Sequence, residues 1–275
     1  SLTNAQMAGL RTAQIAALST EQIAAIETTD IRAMTSAQIG ALTTEQAAAL
    51  TSAQVLAIET ADLRALQTAA VAILSSEQLS ALSTAQAAAL TSAQLNALTT
   101  EQVTQLDVAD VAALTAAQVA AWSTDNVASL TTAQVVGLTT AQVAAMTTAQ
   151  VANLTTTQME AMETADLRAL TTAQAGVLSS AQIDALSTAQ LVAIETADLR
   201  NLQTASLAGL GTAHMAALTS AQVAALSTGQ VAALSTEQVA AIVTANMAAL
   251  STAQIRALPD GSVTALTTAQ IVALN

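Results

Sequence analysis

The stretch TTAQVVGLTTAQVAAM, from Thr131 to Met146, consists of two copies of an eight-residue unit. Related octads follow one another along all 275 residues without an insertion or a deletion. Self-similarity at a fixed short period is the sequence signature of repeat architectures. The octad, and not any single motif, therefore decides the fold.

Two columns of the octad are apolar throughout. The leucine column runs from Leu2 through Trp122 to Leu274, and all 35 of its members are apolar. The valine column runs from Met7 to Ile271, and all 34 of its members are apolar. Such strict retention of apolar residues at two fixed places predicts that both columns lie in the core.

The spacing of the two columns favours a helix. Val135 and Leu138 stand at i and i+3, which places them on one face of a helix. The odd offset of five residues from the leucine column to the valine column would put the two on opposite faces of a strand, and Ala and Gln are poor strand residues. A single long helix is also excluded, because a period of eight would wind the apolar stripe around its axis. Each octad therefore predicts one helix of about five or six residues.

Two polar columns compete for the start of each helix. The second hydroxyl column, from Asn4 to Thr268, holds Ser, Thr, Asn or Asp in 32 of 34 octads, with Val108 and Ala116 as the exceptions. These four residue types cap helix N-termini, because a short side-chain oxygen accepts a free backbone N–H. The divergent octad PDGSVTAL keeps Asp260 in this column. We expect the second hydroxyl column to supply the N-caps.

The first hydroxyl column, one residue earlier, is the alternative. It begins Thr3, Arg11, Ser19 and tolerates Pro259, which makes it less strict. In this frame Ser19 and the Gln three residues later would form a capping box. Both frames remain open at the level of sequence, and the second hydroxyl column is favoured.

Helices this short cannot stand alone, because isolated helices below roughly 12 residues are marginal in water. Each octad needs neighbours to cover its apolar face, which is the logic of a solenoid. We predict an all-α fold, a tightly coiled α-solenoid of about 34 octapeptide repeats forming one continuous domain over residues 1–275. Related octads at Glu27 and Glu59 lie 32 residues apart, which hints at four octads per coil turn. Duplication explains this spacing equally well, because residues 51–70 match 187–206 at an offset of 136.

The charge and hydropathy of the chain argue against several classes of binding partner. The net charge is −13, and the six basic residues are all Arg, which argues against nucleic acid and anionic membrane surfaces. No apolar run approaches the roughly 18 residues of a membrane span. Ser1 and Asn275 both fall inside the repeat, and no signal peptide is visible. We expect an internal segment of a longer protein, or a unit whose ends are covered by other copies.

The residues that carry chemistry are scarce. There is no Cys and a single histidine, His214, which stands in a column otherwise rich in Gln and is interpreted as drift. Asp107, Asp110 and Asp125 do not have the spacing of a calcium loop. Trp122 occupies the leucine column, so we expect a core position. The sequence thus predicts no catalytic, cofactor-binding or metal-binding residue, no cofactor, and a protein that is not an enzyme.

Tandem units such as LTTAQVAAM, from Leu138 to Met146, are rich in Ala, Thr, Gln and Val. They resemble the repeat regions of very large bacterial surface or secreted proteins of the adhesin type. The resemblance covers essentially the whole chain, implies an extracellular spacer or stalk, and carries over no functional residue. We therefore expect a structural module that projects other domains or associates end to end into filaments. The alternative is a regular surface for carbohydrate, protein or ice, built from Thr and Ser ladders.

Overall fold

The computed structural model describes residues 3–274, and Leu2, the first member of the leucine column, lies outside them. Every octad in the described part of the chain forms one short helix, and no strand occurs there. The predicted all-α solenoid with one short helix per repeat is therefore confirmed. None of the helices in residues 3–274 is long and apolar enough to cross a membrane.

The helices are four to six residues long. One of them, Thr204–Gly209, is a 3₁₀-helix. The α-helices of the described chain, in order, are Asn4–Ala8, Thr12–Ala16, Thr20–Ala24, Thr28–Arg32, Ser36–Ile39, Thr44–Ala49, Ser52–Ala57, Thr60–Leu63, Thr68–Val71, Ser76–Ser80, Thr84–Ala89, Ser92–Ala97, Thr100–Thr104, Val108–Ala113, Ala116–Ala120, Thr124–Ala128, Thr132–Val136, Thr140–Ala145, Thr148–Ala152, Thr156–Ala161, Thr164–Ala169, Thr172–Ala175, Ser180–Asp184, Thr188–Ala193, Thr196–Asn201, Thr212–Ala217, Ser220–Ala225, Thr228–Ala232, Thr236–Ala240, Thr244–Met247, Thr252–Arg256, Asp260–Thr264 and Thr268–Ala273.

The N-caps lie in the first hydroxyl column, so the sequence prediction was wrong by one residue. Ser19 is extended, with φ −73° and ψ 162°, and Thr20 is the first helical residue. The Ser19 hydroxyl accepts the Gln22 backbone N–H at 3.2 Å, and Gln22 Oε1 accepts the Ser19 N–H at 2.9 Å. This is a capping box, which satisfies two free donors at once. Gln at the third helical position decides the frame, because from the second hydroxyl column it would stand one residue too early to close the box.

The exceptions follow from the same frame. Val108 and Ala116 are first helical residues, so neither takes a cap away from its octad. Thr115 closes a normal capping box ahead of Ala116. Asp260 is not a cap either, because Pro259 takes that place without a side-chain hydrogen bond. Pro suits this place because a residue at a helix start has no intrahelical partner for its N–H.

Neighbouring threonines test this frame. Thr131 caps its helix by accepting the Gln134 N–H at 3.2 Å, whereas Thr132 is exposed and is the first helical residue. We expect Thr131→Ala to lower the free energy of unfolding by about 1 kcal/mol, because a cap is lost. Thr132→Ala should change it by less than about 0.5 kcal/mol. Urea unfolding followed by Trp122 fluorescence measures both free energies. A larger loss of stability in Thr132→Ala than in Thr131→Ala would show that the second hydroxyl column supplies the N-cap.

The core consists of the two predicted apolar columns. Leu63 and Val103 of the valine column are 0 % exposed, and Leu66 of the leucine column is 3 % exposed. The columns are less covered in the outermost described octads: Leu10 is half-buried, and Ile271 is 43 % exposed. The apolar face of each octad is therefore buried by other octads, as the solenoid prediction requires.

The chain divides into two compact units, one ending at Leu138 and the other beginning at Thr139. Within each unit a helix packs against the helix three octads along the chain. Thr20–Ala24 packs on Thr44–Ala49 in the first unit, and Thr172–Ala175 packs on Thr196–Asn201 in the second. Hydrogen bonds also join residues 28 and 31 positions apart, such as Gln54 with Ile26 and Ile23. One coil turn thus takes between three and four octads, fewer than the four at which the sequence hinted.

Candidate functional site

The most regular polar feature of the structure is the glutamine column, the third helical residue of each octad. Gln54 is typical and is 2 % exposed. Its Oε1 accepts the Thr51 backbone N–H at 2.8 Å. Its Nε2 donates to the carbonyls of Ile23 at 2.9 Å and Ile26 at 2.8 Å, in the preceding coil. One buried amide therefore closes a helix start and also joins two coils.

The same two bonds recur in both units. In the first unit, Gln134 Nε2 donates to Val103 and Leu106 O, each at 2.8 Å. In the second unit, Gln230 Nε2 donates to Leu199 and Leu202 O, each at 2.9 Å. The leucine-column carbonyls lie just past the end of a helix, where a carbonyl lacks an intrahelical partner. The valine-column carbonyls also accept the backbone N–H three residues later, as Val103 O accepts the Leu106 N–H at 3.2 Å. The amide of each such glutamine thus accepts a hydrogen bond from the start of its own helix and donates hydrogen bonds to the end of a helix in the preceding coil.

Two other uncharged residues in this column, His214 and Ser206, preserve the bond to the preceding coil. His214 Nδ1 accepts the Gly211 N–H at 3.2 Å, and His214 Nε2 lies 2.6 Å from Leu186 O, 28 residues back. The ring therefore carries its proton on Nε2, and it reproduces the capping bond of a glutamine and the bond to the carbonyl 28 residues back. Ser206 likewise donates to Leu178 O, again 28 residues back. The interpretation of His214 as a tolerated exchange in a polar column agrees with these bonds.

Ser206 reaches its carbonyl in a different way, because its side chain is short. It lies in the 3₁₀-helix Thr204–Gly209, which packs closely on Ser180–Asp184. A Cβ at Gly209 would lie 2.0 Å from the Ser180 carbonyl oxygen. Only glycine allows this approach, so Ser206 and Gly209 act together.

Asparagine in the column makes a further contact. Asn246 Nδ2 donates to Leu218 O, 28 residues back, and Asn246 Oδ1 accepts the Ser220 hydroxyl at 2.6 Å, 26 residues back. Ser220 is the first helical residue of its octad. Hydroxyls of the second hydroxyl column do not cap their own helix, but they can donate to a side chain of the glutamine column in the next coil.

Five octads carry an aspartate in the glutamine column and an acidic residue at the N-cap. We call these the acidic octads; they begin at Glu27, Glu59, Asp107, Glu163 and Glu195. None of these five N-cap side chains makes a cap hydrogen bond. The aspartates accept hydroxyls instead: Ser36 donates to Asp62, and Thr84 donates to Asp110. Burial raises the pKa of Asp166 to about 6, and the negative charge of Glu163 adds to the shift.

The three aspartates whose spacing does not fit a calcium loop differ in their exposure in the structure. Asp110 is buried, whereas Asp107 and Asp125 are exposed. Within residues 3–274 no group of three or more His, Cys, Asp or Glu side chains could hold a metal ion. Trp122 is 4 % exposed, and its Nε1–H donates to Leu95 O at 3.1 Å, so its predicted core position is confirmed.

Surface depressions flank the 3₁₀-helix. One of about 320 Å³ is lined by Gly211, Ser235 and Glu237 among others, and the other of about 280 Å³ by Ser180, Asp184 and Gly209. The Ser235 hydroxyl accepts the Gln238 N–H at 3.2 Å as an N-cap, so it is engaged in helix capping.

Comparison with known families matches the repeat itself. The profile of the ALTTAQ repeat covers most of the chain, at residues 23–57, 55–92, 103–140, 127–156, 159–193, 191–228, 215–244, 223–252 and 239–275. The chain belongs to the ALTTAQ repeat family. A search of curated proteins found no match.

The ALTTAQ motif coincides with the structural unit described above. It occurs without change from Ala169 to Gln174, where Leu170 is buried, Thr171 is the N-cap and Gln174 closes the capping box. Gln174 Nε2 then donates to Val143 O at 2.9 Å and Met146 O at 2.7 Å. The ALTTAQ repeat thus contains the end of one helix, the N-cap of the next helix and the glutamine amide that joins two coils.

Proposed function

We propose that this chain is a non-enzymatic structural module, a spacer, stalk or filament segment at the cell surface or outside a bacterial cell. The observation that carries the proposal is the glutamine column. Each buried amide joins its helix to the preceding coil by hydrogen bonds such as Gln94 to Leu66 O at 2.8 Å. Arrays in which each repeat contacts only its neighbours are suited to setting distance, because length grows with repeat number.

The distribution of polar groups also supports this proposal. The polar side chains buried in the described chain lie in the glutamine column, where most of them make capping and coil-to-coil bonds. The negative charge, without lysine, favours solubility and disfavours nucleic acid as a partner. The resemblance to adhesin repeat regions suggests the location. End-to-end association into filaments is the part of the proposal that electron microscopy over a concentration series tests.

Stretching the chain between two terminal handles tests the mechanical role. A coil of about 28 residues should release on the order of 90–100 Å of extended chain when it opens. We expect force-bearing steps of this size or small multiples of it, because neighbouring coils unfold as partly independent units. A trace that follows an unfolded polymer from the lowest force would contradict a spacer that bears load.

A binding surface is the second candidate, and the second hydroxyl column favours it. Thr148, Thr156 and Thr164 are exposed first helical residues at a fixed spacing in the chain. They do not cap, so their hydroxyls are available to a regular ligand such as a carbohydrate or an ice surface. A glycan array and a thermal-hysteresis assay on this segment decide the matter, and a negative result in both would remove this candidate.

A further inference from the structure

The acidic octads differ from the Gln octads in one hydrogen bond. In the glutamine column, uncharged residues of four types can donate to the carbonyl 28 residues back, as Gln94, Asn246, His214 and Ser206 do. Ser262 is an exception, because its buried hydroxyl has no hydrogen-bond partner. An ionised aspartate has no proton to donate, since a carboxylate is an acceptor only. The residues 28 positions before Asp110 and Asp198 are Leu82 and Leu170.

Asp110 and Asp198 accept a hydroxyl from the preceding coil in the same way as Asn246 Oδ1 does. Asp110 accepts the Thr84 hydroxyl and Asp198 accepts the Thr172 hydroxyl, each 26 residues back, as Asn246 accepts Ser220. Asp110 is 2 % exposed, and its Oδ2 is buried without a hydrogen-bond partner. A protonated carboxyl has one O–H donor beside an acceptor oxygen, which is the layout of the asparagine amide.

We propose that Asp110 and Asp198, in the acidic octads that begin at Asp107 and Glu195, form proton-dependent contacts between coils. At neutral pH the carboxylate leaves the coil contact without its backward donor, and the acidic octads open before the others. On mild acidification Asp110 and Asp198 take up a proton and donate it to the preceding coil, as Asn246 does with its amide. The stack is thereby tightened at a few fixed places while the Gln octads stay unchanged.

The charges around these groups favour proton uptake. Burial raises the pKa of Asp110, Asp166 and Asp198, and an acidic N-cap residue adds to each shift. Asp107 is the charged neighbour on the Asp110 helix, while Glu163 with Arg168 and Glu195 with Arg200 share the helices of Asp166 and Asp198. The helices packed on these three carry no charged residue; they are Thr84–Ala89 and Thr132–Val136, Thr140–Ala145 and Thr188–Ala193, and Thr172–Ala175 and Ser220–Ala225.

The direction of the pH effect follows from linkage. A carboxyl with a raised folded-state pKa binds more protons in the folded state, so its contribution to stability increases as pH falls from neutral toward the ordinary Asp value of about 4. The exposed Glu21, Glu45, Glu77 and Glu237 act in the opposite direction, because their own backbone N–H lowers their pKa. Their contribution is lost only at more acidic pH, so a comparison of pH 7 with pH 5 isolates the aspartates.

Native-state hydrogen exchange by mass spectrometry tests the proposal. After correction for intrinsic rates, we expect local opening in peptides covering residues 107–114 and 195–202 to fall about tenfold from pH 7 to pH 5. Peptides from Gln octads, such as 219–226, should change by less than about threefold. Unchanged opening in the acidic octads would overturn the proposal.

Matched variants separate the proton from charge in general. Asp198→Asn should give the acid-state protection at both pH values, because Asn already serves this column at position 246. Asp184→Asn removes the same charge from an exposed site in the same unit and should keep the wild-type pH response. A pH response that survives in Asp198→Asn refutes the proposal. Protection restored at pH 7 by added calcium, and removed by a chelator, also refutes it, since a cation would then be the missing partner.

Discussion

Gln54→Ala is expected to lower the free energy of unfolding by about 3–5 kcal/mol, among the largest effects of a single polar substitution in the chain. The change removes the side-chain partner of the Thr51 N–H and of the Ile26 carbonyl, and it leaves the Ile23 carbonyl with the Ile26 N–H alone. Leaving a buried polar group unsatisfied costs about 1–3 kcal/mol, which is more than the net value of the bond itself. Far-UV circular dichroism during urea unfolding measures the loss.

Gln22 supplies the matched control. Its Oε1 closes a capping box with Ser19 at 2.9 Å, as in Gln54, but its side chain is exposed. Gln22→Ala should therefore cost only about 0.5–1 kcal/mol, the value of the cap. Gln54→Glu adds a second comparison, because it keeps size and the capping oxygen while it removes the donors to the preceding coil. Equal losses in Gln22→Ala and Gln54→Ala would mean that the backward bonds contribute nothing.

The sequence predicted those features that depend on local periodicity. One helix per octad and the burial of columns such as Leu63 and Leu66 follow from spacing alone, because i and i+3 share a helix face. The cap was misplaced by one residue because Ser and Thr fill both hydroxyl columns. The spacing from Ser19 to Gln22 identifies Ser19 as the N-cap, because only a residue three places after the cap can close the capping box.

The second role of the glutamine column could not be read from local spacing. The bond from Gln54 to Ile26 depends on the register between coils, which is set by how helices three octads apart pack. One signal was present: every position of this column except Ala70 holds a polar residue, most often Gln, and an exposed position has no reason to keep that character throughout a repeat. The burial of Gln54 at 2 % exposure supplies that reason.

Gly209→Ala is the second substitution with a large expected effect. The added Cβ would lie 2.0 Å from Ser180 O and 2.8 Å from Ser180 C, both backbone atoms that cannot turn aside. The 3₁₀-helix must then move off Ser180–Asp184, which removes the bond from Ser206 to Leu178 O. We expect a loss of about 2–4 kcal/mol in the free energy of unfolding. Urea unfolding of the variant against wild type measures it.

Gly229→Ala makes the same chemical change in the same unit with the opposite expected sign. The nearest atom to its added Cβ is Ser227 Oγ at 3.9 Å, and the position is helical. Alanine should stabilise the chain there by about 0.5–1 kcal/mol, because glycine is the poorer helix former. If both substitutions shift stability in the same direction, the close approach at Gly209 is not what requires glycine.

A double variant tests whether Ser206 and Gly209 are coupled as the packing indicates. Ser206→Gln restores the common residue of the column, whose longer side chain reaches a carbonyl without the close approach. With the helix held farther away, an alanine at position 209 has room, as alanine does at that place in most octads. Ser206→Gln together with Gly209→Ala should therefore be more stable than Gly209→Ala alone by about 1–3 kcal/mol. Strict additivity of the two changes would show that the short serine and the missing Cβ are unrelated features of this octad.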